Sequence, residues 1–126
     1  MTSFSLSKTV RSRAPRIPFA EIATAILHND YDLSLVLIGD ALGKRLNQEH
    51  KGRDYPTNIL SFPLSTDSGE IFINVRRAER DAKKFSHTPK EHVQYLFIHG
   101  CLHLAGYPHG SKMERLEEKY MKRFSI

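Results

Sequence analysis

The sequence lacks several features that mark secreted and membrane proteins. Its 126 residues contain one cysteine, Cys101, which excludes an internal disulfide and is typical of a reducing compartment. No apolar run approaches the roughly 20 residues needed to span a bilayer, and the N-terminus has no apolar segment of the secretory kind. The length is that of one ordinary domain, so we expect a single cytoplasmic domain over residues 1–126, with no membrane partner and no disulfide partner.

Acidic residues are missing from the first part of the chain, where none precedes Glu21. This serine- and arginine-rich composition is shared by organelle transit peptides, so an organelle of bacterial origin is an alternative location. The alternating apolar residues from Phe4 onward favour a first strand instead. Across the chain, 19 Lys and Arg against 14 Asp and Glu give a net charge of +5, which favours a polyanionic partner.

The hydrophobic pattern predicts an α+β domain in which a small mixed sheet of about four strands packs with about five helices. We expect strands at residues 4–10, 33–38, 59–64 and 71–75. We expect helices beginning at Pro18, over residues 41–49, from Val75, from Pro89 to about Ala105, and from Ser111. The helix from Pro89 is predicted by the capping box of Thr88 and Glu91.

The helix from Val75 is predicted to have two different faces. Its apolar stripe consists of Val75, Ala78, Ala82 and Phe85. The opposite side carries the cations Arg76, Arg80, Lys83 and Lys84. This charged face is interpreted either as an ordinary solvated surface or as one that follows RNA phosphates. On the next helix, His92 is predicted to be a surface histidine and Cys101 to pack in the core.

The most specific pattern is the phrase HGCLHLAGYPHG, in which His99, His103 and His109 are separated by four and six residues. Residues four apart on a helix lie on one face, so His99 and His103 can bind one ion from the same side. Gly106 permits the left-handed turn that would bring His109 back as a third ligand. Three protein nitrogens leave tetrahedral Zn²⁺ one position for water, as in catalytic sites. The alternative is a pair of surface histidines and an unrelated loop histidine.

The histidine spacing is that of metzincin-type proteases, but the residue after the first histidine is Gly100. Those enzymes carry a glutamate there as the general base, so the pattern argues against peptidase chemistry. Hydrolysis by a metal-bound water or hydroxide does not need that glutamate. Because three imidazoles suit zinc, nickel and iron, the sequence predicts one divalent transition metal ion, with zinc as the first choice.

A second block makes the chain resemble the YbeY family of bacterial endoribonucleases. The family's block of Pro-Thr-Asn/Asp-hydrophobic-Leu-Ser-Phe-Pro is matched by Pro56, Thr57, Asn58, Leu60, Ser61, Phe62 and Pro63. Gly69, Glu70 and Ile71 are similar to the start of one of its strands. The resemblance implies a four-stranded α+β domain with a zincin-like helix and zinc held by His99, His103 and His109. It also implies single-strand-specific cleavage near the 3′ end of 16S rRNA and a role in ribosome quality control.

The chain departs from that family at two positions. Lys51 stands where the family usually has an arginine that is thought to engage RNA, and lysine lacks the planar fork that grips a phosphate. We hypothesise that Arg53, two residues on, supplies the missing guanidinium. Pro108 stands where relatives typically carry aspartate, so we expect metal binding to persist and catalytic rate to be affected.

The remaining candidate site residues are basic or small and polar. Lys51 and Arg53 are the candidate catalytic residues. Second-tier candidates for substrate binding are Thr57, Asn58, Ser61, Arg76 and Arg80. We expect rRNA, the small ribosomal subunit and its assembly factors as partners. The alternative function is a non-catalytic ribosome assembly factor in which a structural metal fixes the loop after Gly106.

Overall fold

The sheet of this protein has four strands, and the computed structural model describes residues 2–53 and 57–125. The strands are β1 (Ser3–Lys8), β2 (Asp32–Ile38), β3 (Ile59–Ser65) and β4 (Ser68–Asn74). They lie in the order β1-β2-β4-β3, with β1, β2 and β4 parallel and β3 antiparallel to β4. The predicted mixed sheet is therefore confirmed, and β3 forms one of its edges.

Five α-helices connect and cover the strands in the described ranges. They are α1 (Phe19–Ile26), α2 (Asp40–Lys51), α3 (Val75–Ala82), α4 (Pro89–Leu104) and α5 (Ser111–Arg123). The helix predicted from Pro18 starts one residue later, because Pro18 itself is the N-cap. The predicted capping box at Thr88 is present, with the Thr88 hydroxyl accepting from the Glu91 amide at 3.1 Å. The fourth strand begins at Ser68, so the turn before it is shorter than predicted.

The core lies between the sheet and α4. Alternate residues of β2 and β4, such as Leu35 and Ile71, are fully buried, as a strand with one face on a core requires. On α4, Phe97 is fully buried, its ring 4.9 Å from that of Phe19 on α1. Cys101 is also fully buried, which confirms its predicted packing role, and burial raises the pKa of its thiol. Within the described residues, no helix combines the length and apolar character needed to cross a membrane.

Two predictions around α3 and α4 are wrong. Phe85 was expected to continue the buried stripe of α3, but that helix ends at Ala82 and gives way to a 3₁₀ turn over Lys83–Phe85. Ser86 then takes a left-handed backbone with φ of 56°, which leaves Phe85 50% exposed. His92 was expected at the surface but is fully buried, because α4 is enclosed on several sides and has no wide solvent face.

Candidate metal centre and RNA cleft

Three histidine rings meet at the C-terminal end of α4. One ring nitrogen from each of His99, His103 and His109 lies within 4.8 Å of the others. The Nε2 atoms of His99 and His103 are 3.1 Å apart, as the four-residue spacing on one helix face requires. The predicted convergence of the three side chains is therefore present, and the alternative of unrelated surface histidines is not what the fold shows.

The turn after α4 places His109 opposite the two helical histidines. Gly106 has φ of +99°, a left-handed backbone that a residue with a Cβ adopts only at a cost. The Gly106 amide donates to the His103 carbonyl at 3.0 Å, and the Tyr107 amide donates to the Leu102 carbonyl at 3.1 Å. This pair of bonds is a Schellman motif, which ends the helix and reverses the chain direction.

Two contacts at Nδ1 orient the imidazole rings of His99 and His103 on α4. With Nδ1 protonated, His99 donates to Oε2 of Glu117 at 2.6 Å, and Glu117 is only 5% exposed. His103 makes the corresponding contact from Nδ1 to the carbonyl oxygen of Tyr107 at 3.2 Å. In the neutral ring, each contact places the proton on Nδ1 and leaves the Nε2 lone pair for a metal, and such partners are usual behind metal-binding histidines. We call His99, His103, His109 and Glu117 the imidazole centre.

Sequence reasoning missed Glu117. The signal for it was present in α5, where Met113, Leu116 and Tyr120 form the core-facing stripe and Glu117 is a carboxylate on that same face. A carboxylate placed among core positions needs a buried partner, because burying an unpaired charge is costly. Here that partner is His99.

The environment keeps His103 available as a ligand. Burial, and next the charges of His99 and His109, hold the pKa of His103 below the usual histidine value. A lowered pKa means that the ring stays neutral further into the acidic range, and only the neutral ring has a lone pair for a metal. Within the described residues, the metal-binding group consists of three histidines, with no Cys, Asp or Glu joining it. This donor set fits a borderline transition metal such as zinc.

The imidazole centre opens into a cleft of about 500 Å³. The cleft is lined by Lys51, Arg53, Thr57, Asn58, Ile59, Ser61 and Arg77 together with the three histidines. Its cations come from the end of α2, the segment after it, and α3, and we call Lys51, Arg53 and Arg77 the basic rim. The structure thus places five predicted site residues in the same cleft as the three histidines, namely Lys51, Arg53, Thr57, Asn58 and Ser61. Pro56, from the block shared with the family, lies outside the described residues.

Arg76 and Arg80, the other two predicted substrate-binding residues, do not line this cleft. Arg80 forms a two-pronged pair with Asp40 at 2.8 and 3.0 Å, and Arg76 lines a separate cavity beside Asp40. Arg77, which sequence analysis did not select, lies in the cleft, with its Nε 3.2 Å from Oδ2 of Asp81. Within α3 the helical wheel correctly placed Val75, Ala78 and Ala82 on the buried side, but it could not show which polar position faces the histidines.

Two small polar residues that line the cleft also make hydrogen bonds within the protein. The Thr57 hydroxyl donates to the carbonyl of Ile59 at 3.0 Å, and the Asn58 amide donates to Asp81 at 3.4 Å. Because these bonds fix the entry into β3, they hold the strand beside α4. Ser61 lies against Gly100 at the contact between β3 and α4.

Gly100 explains why a protease-type glutamate is missing. A Cβ at this position would lie 2.9 Å from Oγ of Ser61 and 3.0 Å from Cδ1 of both Ile59 and Ile71. A glutamate would therefore have to displace β3 and β4 side chains from the face of α4. The close packing of the edge strand on the metal-binding helix therefore leaves no room for a larger side chain at position 100.

Comparison with known proteins gives a consistent result. The family model described as Endoribonuclease YbeY matches residues 6–125. Proteins named Endoribonuclease YbeY include one from Heliobacterium modesticaldum, 36% identical over 74% of this chain and 69% of its own length. Another, from Nautilia profundicola, is 35% identical over 79% of this chain and 77% of its own length. A third, from Bordetella avium, is 38% identical over 75% of this chain and 65% of its own.

One solved structure has the same fold. The solution structure of TM1509 from Thermotoga maritima superposes with a TM-score of 0.69 at 27% identity, covering 96% of this chain and 88% of that one. The similarity therefore extends across nearly the whole chain and includes the region that carries the histidines.

Proposed function

Because the chain belongs to the YbeY family of endoribonucleases, which are hydrolases, we propose that it is a zinc-dependent endoribonuclease that cleaves single-stranded RNA. The observation that carries the proposal is the imidazole centre, in which three ring nitrogens within 4.8 Å of one another face a cleft lined by cations. This combination of ligands and positive charge suits a phosphodiester substrate.

The metal part of the proposal depends on the donor set. His99, His103 and His109 would hold the ion, with Glu117 and the Tyr107 carbonyl fixing two of the rings. When bound, zinc supplies Lewis acidity and lowers the pKa of a coordinated water to about 7. A set of three histidines is typical of catalytic rather than structural zinc sites, which usually have four protein ligands.

The basic rim performs the binding step. Lys51 and Arg53 are exposed and Arg77 is half-buried, so their charged ends reach the cleft from two sides. An RNA phosphate placed between them and the histidines would be neutralised and held near the reacting centre. Arg53 and Arg77 can each present the two-pronged guanidinium that Lys51 lacks. We retain Lys51 and Arg53 as the proposed catalytic pair and add Arg77.

The biological setting follows from the family resemblance. We propose maturation of the 3′ end of 16S rRNA in the cytoplasm, with a role in ribosome quality control and contact with the small ribosomal subunit and its assembly factors. The net charge of +5 agrees with an rRNA partner, since a basic protein is attracted to a polyanion. The proposed enzyme domain spans residues 1–126.

The deciding experiment tests purified protein on a labelled single-stranded RNA, with zinc and with a chelator. We expect cleavage with zinc, none with chelator, and recovery when zinc is restored. The same RNA annealed to its complement should be resistant. His103→Ala provides a control for contaminating nucleases, because any activity that survives in that variant does not come from the imidazole centre.

Two results would contradict the proposal. Cleavage that is unaffected by chelator would remove the metal from the mechanism. RNA binding without cleavage by zinc-loaded protein would favour the alternative, an assembly factor with a structural metal.

A further inference from the structure

A second cavity adjoins the cleft and has a different character. It measures about 170 Å³ and is lined by Asn58, Ile59, Phe85, His92, Tyr95, Leu96 and His99. Three of these residues, Asn58, Ile59 and His99, also line the cleft, so the two spaces share a wall at a metal ligand. We propose that this cavity is a nucleobase subsite, in which Phe85 stacks on the base of a nucleotide beside the cleaved phosphate. This inference rests on the proposed RNA substrate.

Phe85 is placed as a stacking surface would be. It is 50% exposed, although its ring centroid lies only 4.9 Å from that of His92 and 5.5 Å from that of Tyr95. The left-handed Ser86 and the bond from the His87 amide to the Ala82 carbonyl, 3.0 Å long, hold the 3₁₀ turn in this position. The fold therefore fixes an aromatic ring at the mouth of the cavity with half of its surface open to solvent.

His92 lies in the same lining. The ring is fully buried, and its Nδ1 lies 3.0 Å from Nδ1 of His87. Its Nε2 has no hydrogen-bond partner in the part of the chain that the structure describes. This nitrogen is itself sealed from solvent, so His92 contributes the ring that packs behind Phe85 and not a hydrogen bond to the base.

The charges around the cavity suit a nucleotide. Lys83 and Lys84 precede Phe85 in the 3₁₀ turn and are exposed, and Arg77 lies in the adjoining cleft. Single-stranded RNA is commonly bound by a cationic track for the phosphates combined with aromatic rings for the bases. The cavity and the cleft together provide this combination, and Asn58, Ile59 and His99 line both.

The size of the cavity also fits one base. An apolar protein cavity of about 150 Å³ accommodates a benzene ring, so about 170 Å³ with an open mouth can accept the six-membered ring of a base. Stacking of one base on an aromatic side chain changes affinity by roughly 5- to 150-fold. We therefore expect a contribution of about tenfold from Phe85.

The experiment combines variants of Phe85 with RNAs in which one nucleotide at a time lacks its base. In the wild-type protein, one abasic position next to the cleaved bond should lower kcat/KM by about tenfold. Phe85→Ala should cause a similar loss on intact RNA but little further loss on that abasic RNA, because both changes remove the same contact. Phe85→Tyr, which keeps a ring, should stay within about twofold of wild type.

Two further variants separate stacking from folding. Phe85→Leu keeps apolar contact with His92 and Tyr95 but has no aromatic face, so it should also lose activity on intact RNA even if Phe85→Ala folds poorly. Leu6→Ala removes a partly exposed apolar side chain from β1, at the opposite edge of the sheet from β3, and should leave kcat/KM unchanged. Melting temperature and zinc content are measured for every variant.

The possible failures are distinguishable. If wild-type protein cleaves intact RNA but Phe85→Ala and Phe85→Leu cleave it equally well, or if their losses multiply with those of every abasic RNA, the subsite is refuted and the endoribonuclease proposal stands. If zinc-loaded wild-type protein neither binds nor cleaves intact RNA, both proposals are refuted.

Discussion

The imidazole centre and the basic rim face the same cleft but are held in different ways. In the centre, the helix register of α4, the Schellman turn at Gly106 and the contacts to Glu117 and Tyr107 fix the rings. In the rim, Lys51 and Arg53 have exposed side chains at and just after the end of α2, and Arg77 pairs with Asp81 on α3. The comparison indicates that the centre is preorganised for chemistry, whereas the rim supplies adjustable attraction for a polyanion.

Removing a metal ligand should have the largest effect. His103→Ala deletes one of three nitrogens and should lower RNA cleavage by on the order of 1,000-fold or more, because the metal's acidity is lost with it. Metal content of the purified variant, measured by mass spectrometry, should fall in parallel. His28→Ala is the matched control, since His28 is an exposed histidine that does not line the cleft. Full activity in metal-free His103→Ala would mean that the centre is not catalytic.

Glu117 tests how much of the centre depends on the contact behind the ligand. Glu117→Gln keeps the size of the side chain but removes the charge that orients His99, so we expect zinc affinity to fall by about 10- to 100-fold. Competition with a chelating dye measures this affinity. Glu118→Gln changes the exposed neighbouring residue and should bind zinc like the wild type. Equal affinity for both variants would contradict the orienting role of Glu117.

The basic rim should show the opposite pattern, with weaker RNA binding and unchanged zinc content. Removal of Arg53 or Arg77 should each weaken single-stranded RNA binding by about tenfold at low salt. It should also reduce the slope of log K against log salt by about 0.7, the amount expected for one phosphate contact. Binding titrations at several salt concentrations measure both quantities, and Arg11→Ala, at an exposed position outside the cleft, is the control.

Lys51 and Arg53 can be separated within the same series. If Arg53 supplies the guanidinium that the family usually has at position 51, Arg53→Ala should impair cleavage at least as much as Lys51→Ala. If Arg53→Ala leaves cleavage untouched while Lys51→Ala abolishes it, that hypothesis is wrong.

The smallest effect is expected on stability, from the ion pair between Asp40 and Arg80 of α3. The hydrogen bonds from Arg80, and next from Asn74, lower the pKa of Asp40 from its usual 3.8 to about 2. A carboxyl group whose pKa is lower in the folded than in the unfolded protein stabilises the fold at any pH above its unfolded-state pKa. This contribution is lost as the pH falls from about 4 toward 2. Asp40→Asn should therefore reduce stability at pH 7 by less than about 1 kcal/mol, since the pair is partly exposed.

Urea unfolding at pH 7 and near pH 2 measures this difference. The gap between wild type and Asp40→Asn should narrow at the lower pH, whereas Glu49→Gln, an exposed change on α2, should show no gap at pH 7. A gap that widens in acid would contradict the pairing of Asp40 with Arg80.

The imidazole centre could be predicted from the sequence, whereas the arginines of the basic rim could be predicted only in part. Helix periodicity, a capping box at Thr88 and a glycine at 106 are local signals, and they gave the position of α4 and the convergence of the histidines. The outcome for Arg76, Arg77 and Arg80 depends on where α2 and β3 lie in space, which no local pattern specifies. The wheel therefore selected two arginines outside the cleft and passed over the one within it.

The burial of His92 and Phe85 was also predicted wrongly from the local pattern. An amphipathic pattern assigns polar residues to the surface, but α4 is enclosed by its neighbours, so His92 became buried against His87 and Phe85. Phe85 followed the apolar spacing of α3, but the helix ended before reaching it. Tertiary packing overrode the local pattern at His92, and an early helix end did so at Phe85.

The most direct test of the central claim is X-ray absorption spectroscopy of the zinc-loaded protein. We predict three imidazole nitrogens and one exchangeable oxygen at about 2.0 to 2.1 Å from zinc, as expected for a catalytic site. Fewer than three imidazoles, or a sulfur or a protein carboxylate in the fourth position, would contradict the account.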